Sequence, residues 1–371
     1  MRNLSLLVCL FVLALPVYAD GTVTVAQLEQ FLTSSRAAKL SDVEIAARLS
    51  RIDLSEELTP TSLARIAAEA HPGPETQQQL KILAAVSVIQ PPPAANLANE
   101  TPPDQETQKK ILSSAHAYAQ EAIRLIPDFL AIRETRSFNN LPLAAAKKHQ
   151  KPRIEMHFAS NARREIAVRR GREVSSAVAG GGGMGDSLLT SGLSSWGEFG
   201  AILAVIFGDS SDESMHWRRW QRSESGARLA VFGYQVPRLA SHYTVDFCCY
   251  RQSEDDPAEH SSKDQPAYHG ELSIDPATGE IDRITVEADL AESDHVSRSA
   301  LAVQYGHVII GGRTYLCPVR SVAVTELYNA DMQKNYGIGL ERHVNDVAFT
   351  DYRKFGSTAR ILVGEDGTRQ P

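Results

Sequence analysis

The sequence predicts an α+β protein: a small N-terminal helical domain, then a curved antiparallel sheet of about ten strands packed on one or two helices. Three observations carry this. Apolar residues recur at helical spacing over residues 24–90. A proline-rich stretch at 91–104 then interrupts the pattern. From residue 129 the apolar period becomes two, broken by turn residues, the signature of strands with one covered face. The chain divides into a leader (1–19), the helical domain (20–90), a linker (91–104), the sheet domain (105–365) and a flexible tail (366–371).

The leader follows from charge and length. Arg2 precedes an apolar run at 4–15, Pro16 breaks it, and Val17-Tyr18-Ala19 fits a small-residue cleavage site, with the cut after Ala19. The run is roughly a dozen residues, against about 20 needed to cross a bilayer. The expected location is therefore periplasmic or secreted, with no transmembrane segment after cleavage. Val8 precedes Cys9, whereas a bacterial lipoprotein signal places a small residue there, which argues against lipidation.

In the helical domain Val25, Leu28, Phe31 and Leu32 share one face. Ser41 and Glu44 form a capping box, and Thr59-Pro60 marks another helix start. Pro72-Gly73-Pro74 ends that helix, and Leu80, Leu83 and Val86 carry the next. These are about four helices, each too short to be stable alone. The prolines of 91–104 predict an extended, semi-rigid spacer.

Residues 105–126 form the longest helix candidate, with Ile111, Ala115, Tyr118, Ala122 and Leu125 along one side. Strands are expected at 129–137, 153–158, 165–170 and 173–176. A glycine-rich interruption at 180–185 and an apolar helix at 195–207 follow. The sheet resumes at 215–222, 228–236 and 241–250, an acidic loop covers 253–265, and strands at 347–352 and 358–363 close the chain. Between these lie the two clearest hairpins. Ile274-Asp275-Pro276-Ala277-Thr278-Gly279 is turn chemistry, and Ile284, Val286 and Ala288 alternate with Arg283, Thr285, Glu287 and Asp289 on the return strand. Gly311-Gly312 makes the second turn.

Net charge is -7 with 22% charged residues, which argues against nucleic acid as the main partner, and the local basic runs Arg163-Arg164 and Arg169-Arg170 have acidic residues beside them. Histidines are scattered without metal-ligand spacing, and Glu254, Asp255, Asp256, Glu259, His260 and Asp264 lack the central glycine of a calcium loop, so no metal or cofactor is expected. Gly180-Gly181-Gly182-Gly183-Met184-Gly185 matches a dinucleotide fingerprint in letters, but its neighbours read as antiparallel strands rather than a βαβ unit. Gly185-Asp186-Ser187-Leu188 matches the opening motif of the GDSL hydrolases, whose histidine sits in an Asp-x-x-His motif that this chain lacks. No catalytic residue is expected, and a hydrolase built on Ser187 is the least favoured of three functional readings.

Three cysteines follow the leader. Cys248 and Cys249 are adjacent on an expected strand and point to opposite faces. Cys249 shares the apolar face of Val245 and Phe247, so a Cys249–Cys317 disulfide is preferred, with Cys248–Cys317 and three free thiols left open. Trp217 and Trp220, three apart on a strand, are expected on opposite faces, with one of them at a cavity mouth or interface as a further possibility.

The order of a long amphipathic helix, the strand Phe129-Leu130-Ala131-Ile132-Arg133, and a meander containing Gly270-Glu271-Leu272-Ser273-Ile274-Asp275-Pro276 resembles the periplasmic outer-membrane lipoprotein carriers and sigma-factor regulators that share a half-barrel fold. The resemblance spans roughly residues 105–365 and implies a curved sheet whose apolar cleft holds acyl chains. On that basis the chain reads first as an exported, non-enzymatic binding protein for an apolar ligand, lipid or lipidated partner, its cavity lined by Phe232, Val245, Ile284 and Val286. The second reading is a structural or interaction module of the cell envelope with a filled core, its helical domain docking an envelope protein. A large apolar cavity favours the first, a filled core the second.

Overall fold

A computed structural model describes residues 22–142, 155–169, 172–174, 198–250, 260–291 and 295–355. The chain opens with β1 (Thr22–Val23), α1 (Val25–Ala37), α2 (Asp42–Leu49), β2 (Asp53–Leu54), α3 (Pro60–Ala70) and α4 (Pro74–Val86). β1 and β2 pair in parallel. Side chains explain the helix starts. Thr24 and Ser41 each close a reciprocal capping box, with Gln27 and Glu44, while Pro60 and Pro74 sit in the first turns of α3 and α4. Together the four helices bury Leu28, Leu32, Leu49, Leu58, Ile66 and Leu80.

The chain continues through β3 (Leu97–Ala98), α5 (Gln105–Leu125), β4 (Phe129–Asn139), β5 (His157–Arg169), β6 (Arg172–Val174) and α6 (Ala201–Asp209). Then come β7 (Met215–Arg222), β8 (Arg228–Val236), β9 (Val245–Tyr250), β10 (His260–Asp264), β11 (Ala267–Ile274) and β12 (Ile281–Asp289). β13 (Val296–Ile310), β14 (Arg313–Tyr328), α7 (Ala330–Tyr336) and β15 (Leu340–Lys354) complete the described part. Eleven strands form one sheet in the order β3-β7-β8-β11-β12-β13-β14-β15-β4-β5-β6, with every neighbouring pair antiparallel. The fold class is α+β, as expected. β9 and β10 make a separate antiparallel ribbon.

The sheet is covered on its inner face and, over β13–β15, on its outer face, so there it is the middle of three layers. On the inner face Phe232, Leu272, Ile284, Val286 and Val303 pack against Ile111, Ala115 and Ala119 of α5 and Ile202, Leu203 and Ile206 of α6. On the outer face Ala300, Ala302, Val322, Val324 and Val344 meet Ile82 and Ala85 of α4 and Val88 in the turn after it. α4 is therefore apolar on two sides, since its Leu80 and Leu83 belong to the helical core.

The two expected hairpin turns form. Gly279 takes φ +79°, and Asp275 Oδ1 accepts from the Ala277 amide at 2.7 Å. Gly311 and Gly312 take φ +60° and +83°, the positive pair that a two-residue hairpin turn needs. Elsewhere backbone pairing overrides the apolar pattern. The strands expected at 153–158 and 165–170 merge into β5, because its polar middle is laddered to β4 from Asn161 to Ala167. The acidic loop at 253–265 ends in β10, a polar strand held by its ladder to β9. The helix expected at 195–207 starts at Ala201, after Gly200 at φ +122°, and runs to Asp209. The strand expected at 358–363, the glycine run at 180–185 and Ser187 lie outside the described residues.

The linker is not a free spacer. The Glu57 amide donates to Pro91 O at 2.8 Å, β3 pairs with Gln221 and Trp220 of β7, and Trp220 Nε1 donates to Thr101 O at 3.0 Å. Its prolines leave few amide donors, yet their carbonyls and the two residues of β3 are enough to strap it along the sheet edge.

Candidate functional site

The residues expected to line an apolar cavity do not line one together. Phe232, Ile284 and Val286 are buried in contact with the helices on the inner face, and Val245 belongs to a different cluster with Ala288, Val296 and Leu327. The physical reason is that α5 and α6 both pack on the inner face. A hollow beside Tyr118, Phe199, Leu203 and Leu316 measures about 20 Å³. That is about the volume of one water-sized probe.

Cys317 is a free, buried thiol rather than half of the expected bond to Cys249. It lies opposite Gly306 in the β13–β14 ladder, among Phe129, Ala131, Val347 and Phe349. β9, which carries Cys248 and Cys249, forms its own ribbon with β10, and Val245 at its start joins another cluster. Burial pushes the Cys317 thiol up to about 12. Of the acidic cluster, residues 254–259 lie outside the described part, and Asp264 pairs with Arg238. Among the described residues no three His, Cys, Asp or Glu side chains gather to hold a metal.

The tryptophans correct another expectation. Trp217 and Trp220 share the inner face, their ring centroids 4.8 Å apart at a 70° tilt, and Trp217 also packs edge-on against Phe232. A bulge explains it. Trp217 lies opposite Phe232 and Arg219 opposite Val231, so Arg218 is an extra residue that the ladder skips. The shift returns Trp220 to the side of Trp217 and turns both Arg218 and Arg219 outward.

That outward turn builds a polar cleft of about 440 Å³ between the outer face of β7, β8, β11 and β12 and the strap at Ile89, Gln90 and Pro91. It exists because α4 covers the β13–β15 part of the outer face and stops short of β7–β12. Its charges are nearly all matched. Arg219 makes a bidentate pair with Glu271, at 2.8 Å to Oε1 and 2.7 Å to Oε2. Arg283 meets Glu57 at 2.6 Å, Arg298 meets Glu287 at 2.8 Å, and His269 Nδ1 meets Asp289 at 2.7 Å. The exception is Arg218. Among the described residues its guanidinium has no hydrogen bond or ion pair. It lies back over β8, where a Cβ on Gly233 would stand 2.5 Å from Arg218 Nε and 2.9 Å from His216 Nε2. Gly233 thus lets two exposed side-chain nitrogens converge on one spot. An arginine fork with no internal partner, beside an imidazole, fits a carboxylate or phosphate oxygen pair.

A second constellation has the look of catalysis and a structural explanation. Asp209, at the end of α6, accepts from Tyr268 Oη at 2.9 Å, the His242 amide at 2.7 Å and pairs with His242 Nδ1 at 2.6 Å. These bonds tie α6 to β11 and to the loop before β9. Among the described residues no hydroxyl bonds His242 Nε2, so no nucleophile completes a triad.

Sequence reasoning missed the cleft because its key event is a bulge. The signal available was Arg218-Arg219 between two tryptophans, in a strand whose apolar residues fall out of period two. No protein-family model, no curated protein and no solved structure matches the chain.

Proposed function

We propose that the chain is an exported, non-enzymatic interaction module that holds an anionic group of a partner in the outer cleft at Arg218. The observation that carries this is the distribution of space: α5 and α6 pack on the described inner face beside a hollow of about 20 Å³, whereas larger open volumes lie outside, a polar cleft of about 440 Å³ at Arg218 and a second of about 250 Å³ where Glu57 and Val88 meet β12–β14. Apolar ligands need the first kind of space and charged partners the second. The one unmatched charge of the cleft among the described residues is a cation, which sets the sign of the partner group. Export rests on the leader at 1–19.

Two measurements test the reading. Native mass spectrometry of the chain, exported in a bacterial host and purified without detergent, is expected to give a bare polypeptide mass, and added phospholipid is expected not to bind. A phospholipid or acyl adduct lost on denaturation would restore the carrier reading. Titration with citrate, followed by thermal shift, is expected to stabilise the wild-type chain and to leave Arg218→Ala unmoved. Equal stabilisation of both would remove Arg218 from the site.

A further inference from the structure

The open side of β7 gives the partner a shape as well as a charge. β7 pairs with β8 along its whole length, but on its other side β3 covers only Trp220 and Gln221. Among the described residues the outer backbone groups from Met215 to Arg219 have no strand beside them. The chain leaves the edge directly after Ala98, where the Glu100 amide turns back to Ala98 O at 2.9 Å. An edge left open in line with an existing strand is a template for one more strand.

Edges of this kind are often guarded by a bulge or by a charge that projects past the edge. The bulge is present here. The charge is not placed as a guard: Arg218 folds back over Gly233 of β8 and lies on the outer face, not beyond the edge. The inner side of the same stretch is apolar and incompletely covered. Met215 and Trp217 are half-buried against the main core, at its rim. A strand laid along Met215–Arg219 would alternate its side chains between these two environments, as any strand does. Side chains on one side would meet Arg218 and His216. Those on the other would meet Met215 and Trp217.

We infer that β7 accepts an extended peptide segment of alternating acidic and apolar residues as an added strand, its carboxylates held by Arg218 and its apolar side chains against Met215 and Trp217. The inference rests on the anion reading of the cleft and names the class of partner: an acidic polypeptide segment, taken up through backbone pairing.

The test uses the full chain and a fluorescein-labelled eight-residue peptide of alternating Glu and Val, with binding read by anisotropy. Controls are the Lys-Val peptide and two Glu-Val peptides N-methylated at alternate positions, in the two complementary phases. A paired strand points its amide donors to the protein on one phase only. The expected result is binding of the Glu-Val peptide, no binding of the Lys-Val peptide, loss of at least tenfold with one N-methylation phase and little change with the other. Hydrogen exchange should slow at Met215–Arg219 in the complex, and Arg218→Ala should weaken binding at least tenfold, since the exposed Arg218 is not needed to fold the strand. If both N-methylated peptides bind as well as the parent while Arg218→Ala still weakens it, strand addition is wrong and the anion site stands. If edge exchange slows and Arg218→Ala and the Lys-Val peptide behave like their counterparts, the anion reading is wrong and with it the acidic partner. Protection of Met215–Arg219 in the free chain, together with a dimeric mass, would assign the edge to a second copy and overturn the proposal.

Discussion

Gly270→Ala should be among the most damaging single-methyl changes available to this protein. Gly270 sits in β11 between Tyr234 of β8 and Val286 of β12. Its backbone is not in the left-handed region, so the need for glycine here is one of space. Tyr234 crosses β11 to donate its hydroxyl to Thr285 O at 2.7 Å, and an added Cβ would stand 1.9 Å from Thr285 O and 2.6 Å from Tyr234 Oη. The first of these contacts is with backbone and cannot be relieved by a rotamer change. Forcing an extra methyl into a packed core costs about 1–3 kcal/mol, and stranding a buried hydroxyl costs about 1–3 kcal/mol. Together these predict a loss of about 2–6 kcal/mol, against a total stability of about 5–15 kcal/mol for a typical domain. Urea unfolding followed by tryptophan fluorescence and circular dichroism measures it. Tyr234→Phe alone should cost about 1 kcal/mol, because only the hydroxyl is removed. The double variant should stay close to Gly270→Ala, since the backbone clash persists without the hydroxyl. A Gly270→Ala loss below about 1 kcal/mol, or a double variant restored to the level of Tyr234→Phe, would refute the steric account.

Two further outcomes follow from buried groups. Cys317 should resist alkylation in native buffer and react on unfolding without reductant, as mapped by peptide mass, because burial raises its thiol to about 12 and keeps it protonated at neutral pH; a peptide that alkylates only after reduction would return Cys317 to a disulfide. Arg283→Met should destabilise the chain by about 3–5 kcal/mol near pH 8, since it strands Glu57 in the seam between the helical domain and the sheet. Burial holds the Glu57 carboxyl above its ordinary value of 4.5, against the pull of Arg283. In the window just above 4.5 the folded state then binds more protons than the unfolded state, so the Glu57 contribution to stability falls as pH rises through that window. Glu57→Gln should flatten that slope; an unchanged pH dependence would show that Glu57 is not its source.

Much of the architecture was legible because it is local. The helix starts at Ser41 and Thr59 are short-range hydrogen bonds written in three or four residues, and the structure forms both. The turns at Asp275–Gly279 and Gly311–Gly312 depend on φ values that those residues accept at little cost. Alternation in β12 told which of its side chains face inward, and Ile284 and Val286 do. What sequence could not tell is what covers each face. Phe232, Ile284 and Val286 are equally apolar whether they line an open cleft or touch a helix, and that was decided by the packing of α5 and α6 together on one side. The same limit hid the second apolar side of α4, which needs a partner sheet to have meaning.

The candidate site lay almost wholly beyond local reading. The residues Trp217, Arg218, Arg219 and Trp220 are plain in the sequence, and their spacing on a regular strand puts the two indoles on opposite faces. One skipped residue in the ladder with β8 reverses that, brings the indoles to 4.8 Å and sends both arginines outward. Whether a strand skips a residue is set by the register of its neighbour, and register is a property of two strands. Arg219 then finds Glu271 from a strand 52 positions away, while Arg218 lies over a glycine and has no ion pair among the described residues. The sequence by itself determined the capped helices, the two hairpin turns and the apolar strands, because those choices are made over a few neighbouring residues, whereas β3 and β10 needed a partner strand. Tertiary structure decided which faces are covered, which charges are matched and which one is left over, because those depend on contacts between residues that are distant in the chain.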